Sequence, residues 1–283
     1  MRTLAKNKII ALGVMLIFSI GLTTCDKEPT EPEKRVAPEL PPVQSMQVDV
    51  SFFITTPNIS LQKSAISKWN FVNAAARVAI INTVVLAASV APSVVFGVAI
   101  SQTPKLQNDG KFHWIYTAAD TVFGKEIFFE VDLVGWIDET EQESVWEIYV
   151  SSNNHTPQLN HFLWYQGRSE IGDKKGWWLF HDDKSADSLV DVLKVEWDLS
   201  DENDKELIFT NVKALSDEYG DYLKYGSEFS DRFLIFFDAS ENKTNTIYWN
   251  AETGAGFIEW QNYNNGAKSY WDENHNDVPG PPV

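Results

Sequence analysis

From residue 105 to the C-terminus, apolar and polar residues alternate with a period of two in short runs divided by turn-forming residues. Ile127, Phe129, Val131 and Leu133 share one side of such a run, and Glu126, Glu130 and Asp132 the other. Leu193, Val195 and Trp197 oppose Lys194, Glu196 and Asp198 in the same way. A period of two marks a strand with one buried face. The pattern predicts strands over Lys111–Thr117, Glu126–Ile137, Val145–Ser151, His161–Gly167, Trp177–His181, Leu189–Asp198, Glu206–Val212, Tyr222–Phe229, Phe233–Asp238, Thr246–Asn250, Gly256–Tyr263 and Ala267–Trp271. Asn108-Asp109-Gly110 and Asn264-Asn265-Gly266 supply turn chemistry between runs. The connections are too short for the crossovers that parallel strands need, so an antiparallel meander is expected.

Ahead of this region the pattern changes. Gln47–Ile54 predicts one more strand, and Ser64–Gln102 has helical composition. Val78–Ile100 contains no charge; Pro92 interrupts the run and Pro104 ends it, which predicts two helices meeting near Pro92. At about 1.5 Å per residue the run is long enough to cross a bilayer core. It also contains Asn82, Thr83, Ser89 and Ser93, and no aromatic belt brackets both ends. The favoured reading is a helical segment that is apolar all round because protein surrounds it. The expected fold class is α+β, mainly β: an antiparallel meander sheet or partly closed barrel packed on an N-terminal apolar helical segment. Residues 46–283 form one globular domain in this reading, with the strand and helices over 46–104 and the meander over 105–283. Charges in mid-strand, such as Glu130 and Asp132, argue against an outer-membrane barrel.

The N-terminus reads as an address. Arg2, Lys6 and Lys8 precede an apolar stretch from Ile9 to Leu22 that has the length of a signal-peptide core. It ends in Leu22-Thr23-Thr24-Cys25, and Cys25 is the only cysteine of the chain. These residues resemble the lipobox of bacterial lipoprotein precursors, with Thr24 in place of the Gly, Ala or Ser that usually precedes the cysteine. The resemblance covers the N-terminus alone. It implies that residues 1–24 are a signal peptide, that Cys25 carries the lipid, and that the membrane is a partner through that lipid. Residues 25–45, with Asp26, Glu28, Pro29, Glu31, Pro32, Pro38, Pro41 and Pro42, read as a disordered acidic, proline-rich tether. Acidic residues directly after the cysteine resemble the surface-export signal of Bacteroidota-like lipoproteins. The location implied is the bacterial cell envelope, outside the cytoplasm, at the outer membrane or cell surface. Beyond the anchor, the domain resembles β-rich envelope lipoproteins in general and no particular family.

Composition narrows the function classes. The 283 residues are 43% apolar and 13% aromatic, enough to build a sizeable core. The formal charge is −17, and loss of residues 1–24 removes three positive charges and leaves −20. Such a surface repels phosphate backbones, which argues against a nucleic-acid partner. A single cysteine excludes a disulfide framework and a multi-cysteine metal site.

Candidate chemistry is sparse. Asp272, Asn274 and Asn276 place oxygen side chains at alternate positions, as in the first half of a calcium loop, but Asp277 stands where that loop needs glycine. They are the metal-ligand candidates, and calcium is the cofactor they would take; no other cofactor is expected. Asp198, Asp201, Asn203 and Asp204 form a second acidic cluster, read as a solvated hairpin tip. His181-Asp182-Asp183 could orient an imidazole, but no His-Glu-x-x-His pattern and no Gly-x-Ser-x-Gly elbow is present, and no catalytic residue is assigned. The aromatic runs Phe162–Tyr165, Trp177–Phe180 and Phe233–Phe237 admit a sugar or apolar ligand as well as plain strand packing.

The expectation is a lipid-anchored extracytoplasmic module that binds rather than catalyses. The alternatives are a carrier with a lipocalin-like or LolA-like cavity, by fold analogy alone, and a hydrolase with an unrecognised carboxylate site. Cys25→Ser should abolish incorporation of radiolabelled palmitate and release the protein from membranes or leave its precursor uncut. Undiminished labelling and membrane fractionation of the variant would refute the lipobox reading.

Overall fold

The computed structural model describes residues 35–55, 67–84, 87–122, 125–185 and 188–281. Cys25, the segment expected to be a signal peptide and residues 26–34 of the expected tether lie outside them, as do Val85 and Leu86. Among the described residues, fourteen strands form one sheet in sequence order: β1 Lys105–Leu106, β2 Phe112–Val122, β3 Lys125–Asp138, β4 Glu143–Ser152, β5 Leu159–Glu170, β6 Lys175–His181 and β7 Asp191–Asp198, followed by β8 Asp204–Asn211, β9 Tyr222–Glu228, β10 Asp231–Asp238, β11 Lys243–Asn250, β12 Gly256–Glu259, β13 Ser269–Trp271 and β14 Asp277–Val278. Every neighbouring pair is antiparallel, and β1 and β14 do not pair, so the meander is open rather than closed into a barrel. The fold is mainly β, as expected.

Three helices and a 3-10 turn at Val43–Met46 precede the sheet and line its inner face. Gln47–Ile54 is not a strand. Its last part is the short helix α1, Ser51–Thr55, whose first turn is capped by Asp49 accepting the Ser51 N–H at 3.0 Å. A helical turn lets the adjacent Phe52 and Phe53 both reach Trp249, with ring centroids 6.1 and 5.0 Å away; an extended chain would point them apart. Helix α2, Trp69–Val84, buries Phe71, Ala74, Val78 and Ile81 along one face against β12–β14. Helix α3, Ala87–Ala99, buries Ser89, Ser93, Val95, Phe96 and Ala99 and packs on β2.

The two helices do not meet at Pro92. Pro92 lies in the second turn of α3, where it forfeits a single N–H, and its carbonyl accepts the Tyr165 hydroxyl at 3.2 Å. The Val95 carbonyl accepts Tyr116 at 3.0 Å, and burial raises the pKa of both phenols, so both stay protonated donors. No helix among the described residues is long and apolar enough to cross a membrane.

The globular unit begins at Ala37, ahead of the boundary expected at 46. Pro38, Pro41, Ser45 and Met46 are buried, and the Ser45 hydroxyl accepts the Trp178 indole N–H at 3.0 Å. Apolar contacts of Leu40, Val43 and Met46 dock a segment whose prolines read as spacer.

The inner face of the sheet is built on indoles. Trp146 pairs with Gly135 and Gly167, Trp178 with Gly167, Trp197 with Gly176, and Trp249 and Trp271 with Gly256. A Cβ on Gly135, Gly167, Gly176 or Gly256 would lie under 3.0 Å from a neighbouring indole, so each ring occupies the space of the side chain its partner strand lacks. The N–H groups of Trp146 and Trp271 donate to Ser169 Oγ at 3.1 Å and to the Gly254 carbonyl at 2.8 Å. Gly167→Val should lower stability by about 1–3 kcal/mol through overpacking. Gly280→Ala, with open space around it, should stay within about 0.5 kcal/mol. Urea denaturation measures both, and equal midpoints would remove the indole interlock as the cause.

Candidate functional site

The expected metal loop serves as a fastener. Asp272 Oδ1 accepts the N–H groups of Asn274 and Asn276 at 2.9 and 2.8 Å, and Oδ2 accepts the Asn276 side-chain amide at 3.1 Å. Burial opposes the charge of Asp272, yet these donors outweigh it and hold the carboxyl below its ordinary range. Asp277 accepts the N–H groups of Trp69 and Asn70 at 3.1 and 2.9 Å, capping α2 from the far end of the chain. His275 stacks on Phe71 at 4.1 Å, and Lys68 Nζ donates to the Asn274 carbonyl at 2.7 Å. The oxygens of Asp272, Asn274 and Asn276 thus belong to a turn that binds the C-terminus to α2. Among the described residues, no group of three or more His, Cys, Asp or Glu side chains is placed to hold a metal.

The other acidic cluster is likewise spent locally. Asp198 accepts the Ser200 N–H at 3.0 Å and pairs with Lys175 at 2.8 Å, and Asp201 accepts the Asn203 N–H at 2.8 Å. His181 is buried at the end of β6, and its carboxylate neighbour is Asp191, 2.9 Å away, rather than Asp182 or Asp183. Burial outweighs Asp191 and lowers the His181 pKa, which keeps this imidazole neutral. Asp182 pairs with Lys213 at 3.0 Å and Asp183 with His155 at 3.2 Å.

Two constellations on the outer face are brought together by strand register. The first spans β2–β5. His113 is held between Asp132 at 2.8 Å and Asp109 at 3.1 Å. Burial disfavours its charge, but the two carboxylates prevail and raise its pKa. Asp132 also lies 3.8 Å from His161, whose ring stacks on Tyr149 at 4.4 Å. Tyr149 donates to Glu147 at 3.2 Å; burial first, and then Glu147, push its pKa up to about 12. Lys111 lies 3.5 Å from Glu147 and 3.4 Å from the centre of the Trp136 ring. His161 has a φ of 47° in an irregular stretch of the β4–β5 ladder, which turns its side chain outward, where it is 62% exposed.

The second constellation is a row of aromatic rings across β10–β13: Phe233, Tyr248, Phe257 and Tyr270 are consecutive partners. The Tyr248 and Phe257 rings are 5.2 Å apart, and those of Phe257 and Tyr270 5.7 Å. All four are half-buried. Gly226 on β9 leaves room for the Phe233 ring, which a Cβ there would strike. Glu228, Asp231 and Asn250 border the strip on one side, and a mixed row of Lys224, Ile235, Thr246 and Glu259 on the other. Burial, and then Asp231, push the Tyr248 pKa up to about 12. The sequence shows Phe233 within an aromatic run, but Tyr248, Phe257 and Tyr270 lie on three separate strands. Only the pairing register joins them.

One carboxylate is buried where nothing balances it. Asp173, in the β5–β6 turn, accepts the Ser169 hydroxyl through Oδ1, while Oδ2 is buried without a hydrogen-bond partner. Burial pushes its pKa up to about 6, with Glu39 adding to the effect and the Ser169 hydrogen bond opposing it.

No protein-family model matches the chain, and comparison with curated proteins and with solved structures gives no match either.

A carboxyl whose folded pKa is raised costs no stability below the ordinary carboxylate value. The cost develops as pH climbs from about 4 towards the raised value and is constant above it. Asp173→Asn keeps the hydrogen-bond acceptor and suits the positive φ of 57° at this position. Urea denaturation should find the variant about 1–2 kcal/mol more stable than wild type at pH 8, after allowance for screening, and no more stable near pH 3.5. A difference independent of pH would contradict the assignment.

Proposed function

We propose that this chain is a lipid-anchored, extracytoplasmic module of the bacterial cell envelope that binds a sugar ligand through the outer face of its sheet and does not catalyse. The observation that carries the reading is the division between faces. The inner face is packed with the chain's own Met46, Phe53, Phe71, Val95 and Phe96 together with the indoles. That packing favours a binding module over a carrier whose inner face holds an apolar guest. The outer face keeps the half-buried strip Phe233, Tyr248, Phe257 and Tyr270 between rows of carboxylate, amide, hydroxyl and ammonium groups. Such a strip suits a ligand that is apolar along its C–H patches and polar along its hydroxyl edges. A lipid tail would leave the bordering charges desolvated and unpaired. The lipobox-like Leu22-Thr23-Thr24-Cys25 supports the anchor, and the formal charge of −17 supports a neutral ligand over a polyanion.

A hydrolase is the second reading, because His113, Asp132, His161 and Tyr149 form a connected group of titratable side chains in which His113 and Tyr149 have raised pKa values. One experiment separates the two. The protein is run through native gels containing β-glucan, xylan, galactomannan or glycol chitin, and each polymer is then assayed for new reducing ends. Retardation by at least one polymer, lost in Tyr248→Ala and Phe257→Ala and unaccompanied by cleavage, is expected. Cleavage that disappears in Asp132→Asn would establish the hydrolase instead. Absence of retardation by all four polymers would overturn the sugar reading.

A further inference from the structure

The two ends of the sheet are finished differently. Towards the C-terminus the strands shorten from the eight residues of β11 to four, three and two in β12, β13 and β14, so little strand edge is left there. Short terminal strands are one way in which proteins blunt a sheet edge. At the other end stands β2, eleven residues long, with only Phe112 and His113 paired to β1. From Trp114 to Val122, β2 has a described partner on its β3 side alone. In an antiparallel strand, alternate residues direct both N–H and C=O to the same side, so about half of this stretch presents its backbone groups outward. The stretch contains one charged residue, Asp120, and neither proline nor glycine. Charge and proline, two of the usual guards against strand addition, are sparse here, and α3 packs on β2 from the inner side, where Tyr116 bonds to the Val95 carbonyl.

The side chains around this edge make the same point. On the inner side, Trp114, Tyr116 and Ala118 are buried. On the outer side, Ile115 is 66% and Phe128 57% exposed, two large apolar side chains beside an edge that pairs with no other strand among the described residues. Phe128 lies directly behind Ala119 in the ladder, and Ile115 lies in front of Asp132.

We propose that β2 pairs antiparallel with β2 of a second copy of this chain, joining two sheets across a twofold axis near Thr117. In this register Ile115 faces the counterpart's Ala119, and the small alanine lets it reach the exposed Phe128 behind. Symmetry makes the same contact twice, as an isologous interface requires. The register sets position 120 opposite position 114 of the counterpart rather than opposite itself. The backbone supplies the pairing, and the two Ile115–Phe128 contacts fix the register. A foreign extended peptide would meet the same backbone edge but would have to bring its own complement to Ile115 and Phe128, whereas a second copy brings it by symmetry. Because the outer aromatic strip lies on β10–β13, the pairing leaves it free and doubles its number in the assembly.

Thr117→Cys in the full-length protein tests this in intact cells, since the two introduced thiols would face each other across the axis. Mild oxidation should yield a species of twice the chain mass on non-reducing gels. Adding Ile115→Lys or Phe128→Lys should return it to background. Both positions are exposed, so the fold is expected to persist, which far-ultraviolet dichroism of the purified variants checks. No doubled species from Thr117→Cys would overturn the proposal. So would a doubled species that survives both lysine substitutions, or a cross-linked product whose mass shows a different partner.

Discussion

Indole rings laid against the backbone of neighbouring strands hold the inner layer of this protein together. Trp146, Trp178, Trp249 and Trp271 are fully buried, and full burial of a large aromatic removes about 150–250 Å² from water. At about 25 cal/mol per Å², each contributes roughly 4–6 kcal/mol of gross apolar stabilisation. That gain is available only because Gly135, Gly167, Gly176 and Gly256 stand opposite. Glycine ordinarily weakens a strand; here the ring of the neighbour supplies the packing its own side chain cannot. The helical layer is complementary. Helix α3 turns Ser89, Ser93 and Ala99 inward, and Gly97 lies near Val43 of the preceding turn. These small residues let the helix approach the large side chains of the sheet, and Phe96 of the same helix packs edge-on against Trp178 with ring centroids 5.5 Å apart.

Once the inner face is occupied in this way, chemistry is left to the outer face and the strand ends. Many of the basic side chains there are held by carboxylates, among them Lys111, Arg168, Lys175, Lys194, Lys213, Lys224 and Lys243. Arg77 is different: its guanidinium lies over the rings of Trp260 and Tyr263 and donates to Asn73. Surface pairs of this kind add little stability singly. Their effect is to leave short patches of either sign within an acidic surface, with the aromatic strip running between them.

The meander was legible because alternation survives wherever one face is buried. Ile127, Phe129, Val131 and Leu133 are buried as their spacing predicts. The sequence understated β2, which continues past Thr117 to Val122, since Ala118 and Ala119 carry little alternation. It missed β1 and β14, which are two residues each and too short to show a period. Gln47–Ile54 misled because Val48, Val50, Phe52 and Ile54 alternate like a strand, whereas the contact of both phenylalanines with Trp249 decides the conformation. Pro92 misled because proline tolerates an early helical turn as well as a junction. For the outer sites the difficulty was of another kind. Asp132 and His161, like Tyr248 and Phe257, become neighbours through ladders whose register depends on turns and bulges, and no local pattern encodes that pairing.

The bond between Asp277 and the first turn of α2 sets an order of events. Its partners stand 207 and 208 residues apart, so the helix receives its cap only after the strands between them have been made. The apolar residues from Val78 onward emerge early, and the strands that cover them arrive one by one. Contacts of such long sequence separation are slow to form, because chain closure must precede any reward. Until the last strands appear, the growing chain displays its stickiest segment to whatever surrounds it. Complete folding therefore waits on the last strands, and the helix is secured only when they are in place.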